Sequence, residues 1–136
     1  MIRILLTVSA ALLSQAAVAQ SVEVAEGNWS DIPFANKANI PEFISEKSMN
    51  NIDRLVGNGK CDVAGNRKRI DLKVPFIMQF DNRGVAQRVV LQRLGCPEVE
   101  SVVAGIVLGR LKQGFYKPTG SNGAGWYRSE ISYSLN

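Results

Sequence analysis

The side chains able to do chemistry in this chain are few, and one type is missing altogether. Its 136 residues hold two cysteines and no histidine. Without histidine, most metal sites, the Ser-His and Cys-His nucleophile systems and imidazole pH switching are excluded. Cys61 and Cys96 stand too far apart for a C-x-x-C redox or zinc motif. They read as a structural disulfide, closing a loop of about 35 residues and stabilising the fold by ~3 kcal/mol. Glu98 and Glu100 lie two apart at a predicted helix start and face different directions. Carboxylates complement the positive end of the helix dipole, which suits capping and not general acid catalysis. No catalytic, cofactor-binding or metal-binding set is expected, and the chain reads as a non-enzyme.

The cations are more numerous. The formal net charge is +4, and it divides unevenly. Ser21 to Asp53 carries six acids against two bases, whereas Arg54 to Asn136 carries thirteen bases against six acids. Arg67, Lys68 and Arg69 form a basic run, followed by Arg83, Arg88 and Arg93. Such a patch suits peptidoglycan carboxylates or lipid headgroups, or else is a solvated face that keeps the protein soluble. The acidic segment could instead lie across the basic one and cover an edge strand there. The glycines between Lys117 and Gly125 lack the strand-to-helix Lys-Ser/Thr context of a phosphate loop.

The apolar share, 46%, excludes a disordered chain. Residues 1–19 read as a signal peptide: Arg3, an apolar run, then Ala17-Val18-Ala19, with cleavage before Gln20. The alternative, a retained anchor, is short for a span and interrupted by Thr7, Ser9, Ser14 and Gln15. A periplasmic location follows, with secretion or tethering by an uncleaved leader as the alternatives. Export suits a disulfide and disfavours nucleic acid as a partner.

These residues need elements to place them. Residues 20–60 read as an irregular acidic lead-in, broken by Pro33 and Pro41, with a short helix from about Ser48 to Val56. Residues 61–136 carry the legible fold. From Ile70 to Phe80 every even position is apolar, the mark of a strand with one buried face. Pro75 places part of that strand at an edge or bulge. Asp81-Asn82-Arg83-Gly84 is a turn, and a second strand follows to about Gln92 with Val85, Val89 and Leu91 inward. Val99, Val102, Val103, Ile106, Val107, Arg110 and Leu111 then form one helical stripe behind Pro97. Gly105 and Gly109 offer a flat strip for close approach to a sheet, and Gly114 stops the helix. A last strand runs from Trp126 to Leu135 with Tyr127, Ile131, Tyr133 and Leu135 on one face. The expected fold is α+β, a small antiparallel β-β-α-β sheet with one helix on its apolar face.

The stretch from Val74 to Leu135 resembles the C-terminal domain of TonB-type energy transducers. The likeness lies in Phe76, Met78, Phe80, Asp81, Gly84 and Val85 around the first turn, and in Gly95, Pro97, Val99 and Glu100 at the helix start. Phe115-Tyr116-Lys117-Pro118, the glycines from Gly120 to Gly125, and Ile131, Tyr133 and Leu135 continue it. The chain departs from that pattern in having no Tyr-Pro element shortly before the first strand, no uncleaved anchor and no Pro-rich spacer. The expectation is a freestanding TonB-C-like periplasmic module and not a transducer.

The resemblance implies that a sheet edge pairs with an extended peptide of an envelope protein by β-augmentation. Trp126, Tyr127, Arg128, Ile131 and Tyr133 are the residues it points to, and homodimerisation through the same edge is an alternative. The basic patch gives the other reading, binding to peptidoglycan or an anionic envelope surface. Intact mass of the exported protein under non-reducing conditions checks the first steps. It should correspond to a chain beginning at Gln20 and lacking the two thiol hydrogens of Cys61 and Cys96.

Overall fold

The computed structural model describes residues 21–39, 44–57, 61, 70–120 and 123–135. The expected leader and the run Arg67-Lys68-Arg69 lie outside the described residues. The chain order is β1 (Glu23–Ala25), β2 (Asn36–Lys37), α1 (Glu46–Gly57), β3 (Ile70–Phe80), β4 (Ala86–Gln92), α2 (Pro97–Lys112), β5 (Tyr116–Lys117) and β6 (Gly125–Leu135). β1, β4, β3 and β6 form one sheet in that order, and β2 pairs with β5 in a second. The fold is α+β.

The long alternation between Ile70 and Phe80 forms the centre of the sheet. β3 pairs antiparallel with β6 along its whole length, from Ile70↔Leu135 to Phe80↔Gly125. It pairs with β4 only from Phe76 to Phe80. Pro75 therefore sits just past the reach of β4, where its missing N–H leaves no gap in a ladder. The turn between β3 and β4 is tied by Asp81. Its carboxylate accepts the Arg83 and Val85 N–H groups at 2.9 and 3.0 Å and the Arg83 guanidinium at 2.9 Å. The Val85 N–H contributes most to holding this carboxyl below its ordinary pKa. Gly84 closes the turn at φ +75, a conformation that suits glycine.

One face of β4 differs from the alternation expected of it. Gln79 pairs with Arg88 but Phe80 pairs with Ala86, leaving Gln87 as the extra residue of a bulge. A one-residue insertion flips the side chains beyond it to the other face. Ala86, not Val85, is consequently buried beside Val89 and Leu91.

α2 covers the resulting apolar face with Val99, Val103, Val107 and Leu111. Pro97 sits in its first turn, and Gly114 at φ +68 follows its end, donating to the Leu111 carbonyl at 3.0 Å. Gly105 and Gly109 do not face the sheet. Both are exposed, and a Cβ on either would meet open space beside the groove between α1 and α2. Their position on the helix circle, opposite the valine stripe, dictates this. The disulfide joins Cys61 to Cys96 at the helix N-cap, with Cα atoms 5.4 Å apart and both residues buried.

The lead-in is more ordered than its prolines suggest. β1 pairs in parallel with β4, so the sheet is mixed and not purely antiparallel. α1 begins two residues earlier than expected and drives Ile52 into the core, fully buried. β1 and α1 are therefore packed into the same unit as the other strands. Truncation of Ile52 to alanine should cost about 3 kcal/mol, the ordinary price of a buried aliphatic cavity. Urea unfolding of the Ile52→Ala variant checks it; an unchanged midpoint would mean that α1 is not part of the core.

Candidate functional site

Two short pieces of the lead-in lie against the two margins of the β4-β3-β6 sheet. On the β4 side, β1 runs Glu23↔Val90 to Ala25↔Gln92, and the Arg93 N–H donates to the Ala25 carbonyl at 3.0 Å. On the β6 side, Arg128 donates its N–H to the Pro33 carbonyl at 2.8 Å and accepts from the Ala35 N–H at 2.9 Å. This strap, Pro33 to Ala35, runs parallel to β6 at a single bridge, Phe34↔Arg128. It then turns away: Asn36 and Lys37 pair with β5, and the Ala38 N–H donates to the Phe115 carbonyl at 2.7 Å.

Among the described residues, the β6 edge is thus paired by backbone at Arg128 alone. The backbone of Arg128 faces outward, so by the period-two alternation that of Glu130 and Ser132 does too. Among the described residues, their N–H and C=O groups have no backbone partner. β6 is a margin of the sheet, and among the described residues it is covered at Arg128 and uncovered at Glu130 and Ser132.

Its side chains are arranged differently from a row of exposed anchors. Tyr127, Ile131 and Tyr133 are buried on the core face. The register dictates this, since they pair with Met78, Val74 and Leu72. Tyr127 stacks edge-on against Phe80, with centroids 5.8 Å apart, and its hydroxyl accepts the Gly120 N–H at 3.0 Å. A Cβ on Gly120 would fall 2.6 Å from that hydroxyl, so only glycine fits there. Trp126 and Arg128 occupy the opposite face, away from α2. The Arg88 guanidinium lies 5.3 Å from the Trp126 ring centroid, and that of Arg128 lies 4.0 Å from the centroid of Phe34. Phe34 is 57% exposed, and the alternation patterns had given no reason to single it out. Val22 and Val24, spaced as V-x-V, were the available signal for β1.

The basic residues do not converge. Arg83 is held by Asp81 in the turn before β4, and Arg88 pairs with Glu23 at 2.9 Å. Arg93 stands past the other end of β4, beside an open cleft of about 590 Å³ that Val22, Val24 and Pro97 also line. The length of β4 therefore separates Arg83 from Arg93. Among the described residues, only Arg83 and Arg88 of these cations are held in ion pairs.

The carboxylates of α2 serve local structure. Glu100 is buried and accepts the Leu94 N–H at 3.3 Å, bracing the turn before the helix. Glu98 lies 3.7 Å from the Cys96 sulfur. Donor atoms of Cys61, Cys96 and Glu98 lie within 4.8 Å of one another, but both sulfurs are committed to the disulfide and offer no thiolate. Arg110, also buried, donates to the Tyr116 hydroxyl at 3.3 Å and lies over the Phe115 ring.

No helix among the described residues is long and apolar enough to cross a membrane. No protein-family model, curated protein or solved structure matches the chain.

Tyr133 gives the inward packing of β6 a solution test. Burial, with a lesser effect from the Asp53 charge, pushes its phenol up from 10.0 to about 12. The unfolded chain releases this proton near pH 10 and the folded chain keeps it to about 12, so stability falls as pH rises through that window. A spectrophotometric titration should show one tyrosine ionising at about 12, and Tyr133→Phe should remove that step. A Tyr133 titrating near 10 would mean that its ring is not packed inward.

Proposed function

We propose that this protein is a non-enzymatic binding module of the cell envelope, taking up an extended peptide by β-augmentation on β6. One observation carries the reading: an eleven-residue strand at the sheet margin offers outward backbone groups at Glu130 and Ser132 with no partner among the described residues. Open edges are commonly blunted by charge, proline or cover, and here cover stops at Arg128. Main-chain pairing supplies affinity in this recognition mode, so buried side chains at Tyr127, Ile131 and Tyr133 do not argue against it. They stiffen the strand that presents the edge.

The leader sequence and the disulfide favour the periplasm, and the likeness to TonB-type C-terminal domains favours an envelope protein as the source of the peptide. Binding to peptidoglycan through a basic face has less support, because Arg83 and Arg88 already pair with Asp81 and Glu23.

The test is an amide chemical-shift titration of the full chain with a mixed pool of hexapeptides built from alternating β-branched and random residues. Shifts should concentrate at Glu130 to Ser132. Ser132→Pro deletes one outward N–H and spares the ladder to β3, so it should weaken binding by about tenfold. Shifts elsewhere, with Glu130 and Ser132 silent, would remove the reading.

A further inference from the structure

The edge of β6 is asymmetric, and the asymmetry bears on which peptide it would hold. The strap Pro33–Ala35 occupies the lane beside β6 at Arg128 and ends it there. A strand entering the open lane at Ser132 and Glu130 therefore runs up against the strap. If it lies antiparallel to β6, as β3 does on the other side, its C-terminus arrives at Arg128. If it lies parallel, its N-terminus arrives there.

The chemistry at the closed end distinguishes the two. The Arg128 guanidinium lies over the ring of Phe34, a residue of the strap, at 4.0 Å from its centroid. It therefore leans outboard of β6, over the lane itself. The ring takes one face of the cation, and no carboxylate among the described residues pairs with it. Its Nε is buried without a hydrogen-bond partner, so the cation carries a donor left unsatisfied within the fold. Guanidinium matches a carboxylate in a two-pronged geometry and repels an ammonium.

We infer that the edge receives the C-terminal end of a peptide, antiparallel to β6, with its terminal carboxylate on Arg128. This rests on the β-augmentation reading and adds polarity and terminus to it. Glu130, two residues along on the same face, meets the side chain preceding that carboxylate and favours a cation or hydrogen-bond donor there. Arg128 is then a specificity determinant, and the backbone of Glu130 and Ser132 supplies the ladder.

Two hexapeptide pools of the same alternating composition, one ending in a free carboxylate and one in an amide, separate the possibilities. Dissociation constants come from amide shifts on the full chain. The carboxylate pool should bind at least tenfold more tightly. Arg128→Gln should bring the two pools level, and Arg128→Lys should keep part of the preference. Should Arg128→Gln fail to fold, the comparison of pools on the unaltered chain and on Arg128→Lys decides the matter. Equal binding of both pools, with shifts at Glu130 and Ser132, would overturn the carboxylate inference and leave β-augmentation standing. No binding of either pool would overturn both. A dimer in sedimentation that Ser132→Pro dissociates would give the edge to a second copy and also overturn the inference.

Discussion

The rest of the structure depends on the ladder between β3 and β6. Its register runs without interruption over eleven pairs, and a slip of one residue would turn every inward side chain outward. That register sets Leu72, Val74, Phe76 and Met78 beside Tyr133, Ile131, Ser129 and Tyr127 on one face. The apolar surface so formed has one cover of matching shape, the valine stripe of α2. It also fixes the direction of the β6 backbone, and with it which peptide groups face outward. Core and edge are thus two consequences of one alignment.

The lead-in matters because it manages the margins that this ladder leaves. The charge difference between the two segments is not what holds it in place. Its one ion pair to the sheet among the described residues, Glu23 to Arg88, has both side chains more than half exposed, and such pairs contribute ~0–1 kcal/mol. Backbone bonds do more: the β1 ladder on one side and the two bonds of Arg128 on the other. The acidic segment does cover an edge strand through peptide groups, among the described residues at Arg128 of β6. Exposed strand edges invite pairing with other chains, so partial cover leaves a defined opening and not a general hazard.

Where the sequence was legible, the reason was periodicity over many residues. Eleven alternating positions gave β3 to its ends, and the stripe from Val99 to Leu111 gave α2. The disulfide was legible because two cysteines 35 residues apart fit no C-x-x-C motif. What was not legible was short or relational. β1 is three residues, too few for an alternation to stand above chance, and the strap has no period at all. The bulge at Gln87 displaced Ala86 and Val85 by one position, and no local residue signals it. The alternation along β6 had placed Tyr127, Ile131 and Tyr133 on one face, and the register with β3 makes that the core face. Gly105 and Gly109 were placed against the sheet for their size, whereas their angle on the helix decides where they point.

An order of strands, helix and strand is shared by many small folds, so it carries little information about function by itself. The informative feature is that the lane beside β6 has two unlike ends. The strap lies parallel to β6 and departs toward β5, so it blocks the lane at Arg128 without continuing along it. An unobstructed edge accepts a strand in either direction and any register, since its backbone groups repeat every second residue. A stop removes that freedom. In the proposed binding mode, one end closed by peptide groups and marked by a guanidinium sets direction and register through the same two residues, Arg128 and Phe34. Selectivity of this kind needs no deep pocket, which fits a molecule where, among the described residues, the clefts are open and Phe34 is the one large hydrophobic side chain left exposed.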